Sequence, residues 1–298
     1  MADITVSVSN FAELKTELEG NFPNSGETKT INIENDINAA DYLGVQITIP
    51  QNNIYNIIIN GNDHQILNWS SYGNTYLLKF YNWGGGYGNI TFNNLRFANY
   101  QIANGCVFDI TSTEGDNEFN NCKFNGISKY FQNSTGGRTT GCFYNCSFNI
   151  KCRNMCYSGT SYLYYTWIHI EWFSPDVETT HGNTLANCAF NNSYIEGKIA
   201  GTHSTYLFGS YSDSEYLKNC FNTEVEIYAT SATAYTFNIN SNKSQYTLYN
   251  TDKLPSENSA GGALTWNFTN TNAGLTDAQM KSSTAIQTAT NNTFLYQV

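Results

Sequence analysis

The chain has 298 residues, 40% of them hydrophobic and 13% charged, with a net charge of −10 and a sequence pI near 4.8. That is long and apolar enough to bury a substantial core without a metal or a disulfide framework. The acidic balance, with arginine at Arg96, Arg138 and Arg153 alone, argues against nucleic-acid binding through phosphate electrostatics. No apolar run is long enough for a transmembrane helix.

Met1-Ala2-Asp3-Ile4-Thr5-Val6 lacks a basic segment followed by an apolar one, so no export signal is expected there. Asn10 with Glu13 three residues later is a capping-box pattern, and Phe11, Leu14 and Leu18 share one helical face before Gly20. A short helix over about residues 10–20 is predicted, capping the N-terminal end of whatever follows. Thr30-Ile31-Asn32-Ile33-Glu34-Asn35-Asp36-Ile37 follows, and Ile58-Ile59-Asn60-Gly61 with Ile66 is an early, degenerate copy of the phrase that recurs next.

From there a phrase recurs: apolar, any residue, Asn, apolar or Cys, any residue, Phe. It reads Phe92-Asn93-Asn94-Leu95-Arg96-Phe97, Phe119-Asn120-Asn121-Cys122-Lys123-Phe124 and Phe143-Tyr144-Asn145-Cys146-Ser147-Phe148. It returns as Leu185-Ala186-Asn187-Cys188-Ala189-Phe190 and weakens at Leu217-Lys218-Asn219-Cys220-Phe221-Asn222. In a straight strand, residues three apart face opposite ways. A corner at each Asn, a residue that tolerates the left-handed region, turns both Phe residues and the Leu or Cys inward. Asn94, Asn121, Asn145, Asn187 and Asn219 should then stack as corners. Leu95, Cys122, Cys146, Cys188 and Cys220 should share an inward slot, and Phe97, Phe124, Phe148 and Phe190 an inward column. The first corners are about 27 and 24 residues apart and the later ones about 42 and 32, which predicts a solenoid with insertions in its later coils.

The inward cysteines read as packing. Cys142, Cys146, Cys152 and Cys156 also have a C-x3-C-x5-C-x3-C spacing, looser than most zinc sites, and no metal or cofactor is expected. Trp167-Ile168-His169-Ile170-Glu171-Trp172-Phe173 alternates with strand period. Trp167, His169 and Glu171 share its outer face, where an aromatic beside a His and a carboxylate could form a sugar platform or an acid–base pair. Acidic clusters at Glu114, Asp116 and Glu118, at Asp176 and Glu178 near His181, and at Asp213 and Glu215 fall in polar connections. The glycine run from Trp83 to Gly88 lacks the helix and Lys-Ser/Thr of a phosphate loop. Residues 251–274 read as irregular coil leading to a C-terminal cap, opened by Thr276 and Gln279 in another capping-box pattern. The solenoid itself is expected over 1–250 and the coil and cap over 251–298.

The repeated phrase, with its N-terminal helix and first coil, resembles the right-handed parallel β-helix (pectate-lyase-like) superfamily, in its phage tailspike and surface-adhesin form. The resemblance implies an all-β solenoid over about residues 4–250, hosting functions from polysaccharide cleavage to attachment. Lyases of that superfamily carry a dense acidic calcium site with a basic residue. Arg96 and Lys123 stack outward here without an acidic strand, so no catalytic residue carries over. The expectation is a non-enzymatic bacteriophage virion appendage, a head fibre or tail decoration. It would contact host glycans and other virion proteins, with homotrimer formation compatible with that role. A polysaccharide depolymerase and a bacterial surface adhesin are the alternatives.

Overall fold

The computed structural model describes residues 3–20, 26–50, 56–73, 76–81, 89–111, 116–134, 140–157, 159–173, 184–185, 187–202, 216–217, 219–239, 244–245, 247–268, 272–282 and 284–285. It is a parallel β-solenoid of about seven turns. One wall is an eight-stranded parallel sheet: Ile4–Val8, Thr28–Ile33, Asn56–Asn60, Ile90–Asn93, Asp116–Asn120, Thr140–Tyr144, Thr160–Tyr164 and Cys188–Asn191. A second sheet runs alongside through Gln65–Leu67, Arg96–Thr111, Lys123–Ser134, Ser147–Cys156, Trp167–Trp172, Tyr194–Thr202 and Cys220–Tyr228, and on to Thr247–Asn250 and Asn272–Leu275. Arg96–Thr111 also pairs with Tyr76–Tyr81, so its far end continues into a third face.

Between the first two walls stands the predicted corner. Asn94, Asn121 and Asn145 have φ of 51°, 55° and 52°, in the left-handed region. Each corner amide donates to a carbonyl of the next coil: Asn94 N to Asn120 O at 2.9 Å, Asn121 N to Tyr144 O at 3.0 Å, Asn145 N to Tyr164 O at 2.9 Å. The corner asparagine's own amide is therefore satisfied despite the bend. Phe92, Phe119 and Phe143 stack inward before the corner, with ring centroids 4.9 and 4.7 Å apart. Phe97, Phe124 and Phe148 stack inward after it, at 5.4 and 4.9 Å.

Beyond Asn145 the coils differ from the sequence expectation. The wide gap before Asn187 is not an insertion but a complete coil, Leu163-Tyr164-Tyr165-Thr166-Trp167-Ile168, whose corner is Tyr165 at φ 54°. The next is Phe190-Asn191-Asn192-Ser193-Tyr194-Ile195, with Asn192 at φ 53°. Phe190 thus pairs with Leu163, in the column of Phe143 before the corner rather than that of Phe148 after it. Asn187 has φ 60° but precedes its strand instead of following it, and Cys188 points inward beside Ser161. Asn219 is no corner either: it is buried in the slot of Cys122 and Cys146. Cys220 consequently lies one position further on, in register with Tyr194 on the outer side. There it is buried with Leu248, Leu275 and Met280.

The slot column explains the cysteines. A small inward donor in the slot reaches back to the carbonyl of the apolar residue that precedes the corner of the coil before it. Cys122 Sγ donates to Phe92 O at 3.6 Å, Cys146 Sγ to Phe119 O at 3.2 Å, Ser193 Oγ to Leu163 O at 3.2 Å and Asn219 Nδ2 to Phe190 O at 2.9 Å. Cys, Ser and Asn are compact side chains that can donate there, while Leu95 fills the same slot by packing alone.

The N-terminal end of the solenoid is covered by a helix. Asn10 Oδ1 accepts from Glu13 N at 3.0 Å, and the helix Phe11–Glu19 lays buried Phe11, Leu14 and Leu18 on the first coil. A strand, Ile4–Val8, precedes that helix and is already part of the first wall. Lys29 enters the core fully buried. Its Nζ meets the Glu17 carboxylate at 2.8 Å and the carbonyls of Glu17 and Gly20 at 2.6 and 2.9 Å. At the C-terminal side, the stretch expected as irregular coil holds two strands among the described residues: Leu264–Phe268 pairs with Tyr235–Ile239 and Asn272–Leu275 with Thr247–Asn250. Thr276 and Gln279 then form the expected reciprocal capping box on Asp277–Met280.

Candidate functional site

The strand Trp167–Trp172 lies in the second wall, with Ser147–Cys156 on one side and Tyr194–Thr202 on the other. Ile168 and Ile170 are buried against the neighbouring coils, which fixes the opposite parity outward. Trp167, His169 and Glu171 accordingly share the outer face. Trp167 is 36% exposed, and its ring lies nearly parallel to the His169 imidazole, with centroids 6.3 Å apart and 19° between planes. His169 stands between two carboxylates: Nε2 is 3.3 Å from Glu171 Oε1 and Nδ1 is 3.4 Å from Glu196 Oε1. Lys151, Glu171, Lys198 and Glu224 occupy one outward column on successive coils, alternating in sign, and Lys198 Nζ also reaches Glu226 at 2.7 Å. Cross-strand pairs of opposite charge hold a sheet face together. The charged groups beside Trp167 are therefore engaged mainly with one another.

Gly197, between Glu196 and Lys198, makes this close packing feasible. Its φ is 98°, and a Cβ there would lie 2.2 Å from the Ile170 carbonyl oxygen. Any larger residue would force the Tyr194–Thr202 strand away from the Trp167 strand.

Aromatic side chains missed in the sequence extend the surface round the corner. Tyr165, at the corner itself, is 63% exposed. On the first wall Tyr164 stacks on Tyr144 with centroids 5.0 Å apart and 8° between planes, and on Tyr162 at 6.4 Å. Burial, then neighbouring Cys142, Tyr164 and Glu118, pushes the Tyr144 hydroxyl up to about 12, and burial also raises Tyr164. Tyr194 follows Trp167 on the next coil and accepts a bond from Asn222 Nδ2 at 2.8 Å. Burial pushes its hydroxyl up to about 12 as well. These phenols stay neutral at ordinary pH and present ring faces and hydroxyls, not charge. The signal was in the sequence: Tyr162, Tyr164 and Trp167 all fall on outward positions once Tyr165 is recognised as a corner.

The four cysteines of the C-x3-C-x5-C-x3-C run do not converge. Cys142 is outward beside Glu118 and Tyr162, whereas Cys146, Cys152 and Cys156 are buried in the interior. Arg96 and Lys123 are in register on the outer face as expected. Glu114, Asp176, Glu178, His181, Asp213, Glu215 and the glycine run from Trp83 to Gly88 lie outside the described residues, as does the side chain of Asp116. No family model, curated protein or solved structure matches this chain.

Proposed function

We propose that the protein is a non-enzymatic attachment protein of the pectate-lyase-like β-helix type, whose aromatic ridge of Tyr164, Tyr165 and Trp167 holds host-surface glycans. The observation that carries this reading is the pairing at the ridge. Stacked rings stand on a rigid wall while the nearest carboxylates, Glu171 and Glu196, are turned to His169. Aromatic faces supply stacking area for sugar rings, and repeated weak sites suit multivalent adhesion. Paired cleavage of a glycosidic bond would instead require two carboxyls facing each other across a sugar-sized gap.

In this reading the chain is a bacteriophage virion appendage, a head fibre or tail decoration that also contacts other virion proteins. Mass spectrometry of purified particles tests that placement, and a particle without the chain would remove it. For the site, a glycan array probed with wild-type protein and Trp167→Ala is decisive. Retention should fall about tenfold or more in the variant, equivalent to about 1.4 kcal/mol, with no shortened saccharides released by either protein. Shortened products would replace attachment with depolymerisation.

A further inference from the structure

A second patch of the same wall, whose Asn125 stands two coils from His169 in one column, has the chemistry of a ligand groove. It is a cleft of about 570 Å³ lined by Ala40, Leu43, Asn68, Ser70, Tyr72, Asn99, Gln101, Asn125 and Ile127 above the backbone of Tyr100 and Gly126. Its shape follows from two further left-handed asparagines, Asn68 at φ 58° and Asn99 at φ 57°, which bend two successive coils at the same point. The next coil drops that residue: Ala98 pairs with Asn125 and Tyr100 with Gly126, so the bend ends there. Gly126 cannot be larger, because a Cβ would sit 2.4 Å from the Tyr100 carbonyl oxygen and 2.6 Å from its ring. On the other side the segment carrying Leu43 is anchored by Trp69 Nε1 donating to Val45 O at 2.8 Å and Gly44 N to Ser70 O at 2.8 Å.

Among the described residues the lining carries carboxamides and hydroxyls and no charged side chain. Asn68 Nδ2 donates to Asn38 Oδ1 at 3.2 Å and Ser70 Oγ to Asn68 O at 3.2 Å. Asn99, Gln101 and Asn125 are exposed and make no side-chain hydrogen bond to another described residue. Each free carboxamide offers both a donor and an acceptor, the pairing that adjacent sugar hydroxyls require. Tyr72 is 68% exposed and Leu43 55% exposed at the same cleft, which supplies apolar and ring surface beside the amides. Ser70, Gln101 and Ile127 stand in register on three successive coils, a span of about 10 Å at ~4.8 Å per coil. The chain's net charge of −10 and the uncharged lining both disfavour an anionic ligand.

We infer that this cleft is a second saccharide site, distinct from the Trp167 ridge, that takes a neutral oligosaccharide along the exposed amides of Asn99, Gln101 and Asn125 and against Tyr72. Saturation-transfer difference and titration NMR on the full chain test it, with chitotriose, cellotriose and maltotriose as neutral probes and trigalacturonate as the acidic one. At least one neutral probe should bind. Its affinity should fall tenfold or more in Tyr72→Ala and in Gln101→Ala and stay unchanged in Trp167→Ala. Both cleft residues are exposed, and a circular-dichroism melt shows whether each variant keeps its fold. Failure of all neutral probes to bind at millimolar concentration would overturn the inference. So would binding untouched by the two cleft variants, or trigalacturonate binding as tightly as the neutral probes. Binding lost in Trp167→Ala alone would support the ridge and remove the cleft, so the two sites fail separately.

Discussion

At Asn121 the backbone is held at φ 55° while the side-chain oxygen accepts from Asn145 Nδ2 at 2.7 Å. A β-branched residue resists that conformation and cannot accept the bond. Asn121→Val should therefore destabilise the protein by about 1–3 kcal/mol, and Asn121→Gly by less, since glycine enters the left-handed region without strain. Urea unfolding measures both, and a valine variant as stable as wild type would refute the corner. A different asparagine line was hidden in the sequence: Asn32, Asn60, Asn93 and Asn120, just before the corner, bond side chain to side chain at 3.0, 3.1 and 3.1 Å. A residue-scale pH effect belongs to Asp36. Its carboxylate accepts from Gln65 Nε2 at 2.8 Å, and that bond chiefly holds it below the usual carboxylate range. A depressed folded value contributes stability that is complete above the unfolded value, about 3.9. That stability is lost as the pH falls through the folded one. Between pH 6 and 2, wild type should lose stability more steeply than Asp36→Asn, and parallel curves would show the bond to be inconsequential.

At the scale of elements, the coil is defined by what its inward columns must do. Phe124 stacks between Phe97 and Phe148 and meets Phe108, Phe119, Phe131 and Phe143 at its edges. Phe124→Ala should cost about 3–5 kcal/mol, read as a shift in denaturant midpoint without a change in slope, because no neighbour can collapse into the space without breaking its own stack. The first three coils were legible because Phe, Asn and Cys or Leu recur in them at fixed offsets. The later ones were hidden by substitutions that keep the physics and change the letters. Tyr165 takes the left-handed corner because its amide still finds Asn191 O at 2.9 Å, and Thr166 and Ser193 replace cysteine in the slot, bonded Oγ1 to Oγ at 2.9 Å. The Leu-Ala-Asn-Cys-Ala-Phe match was a coincidence of composition, in which Phe190 belonged to the other column. Trp167, His169 and Glu171 were placed on a common outer face by strand alternation alone. Glu196, which faces His169 from the next coil, could not be found without the register.

For the whole molecule, stability is a sum of contacts between adjacent coils, closed at the N-terminal end by Phe11–Glu19, while Met280 of Asp277–Met280 packs with Cys220, Leu248 and Leu275 on the outer side of the last coils. That construction leaves the outer walls free to carry function, since a ring or amide on an outward position is set by strand parity and owes nothing to the core. Its central claim is that the repeated cysteines share a dry interior. Seven of the eight cysteines are buried and Cys142 alone is partly exposed, and burial raises the thiols of interior Cys152 and Cys188. Timed thiol titration of the native protein at neutral pH tests this most directly. One thiol, located to Cys142 by peptide mapping, should react quickly, and all eight should react in guanidinium. Rapid native labelling of Cys122, Cys146, Cys152 and Cys188 would contradict the account.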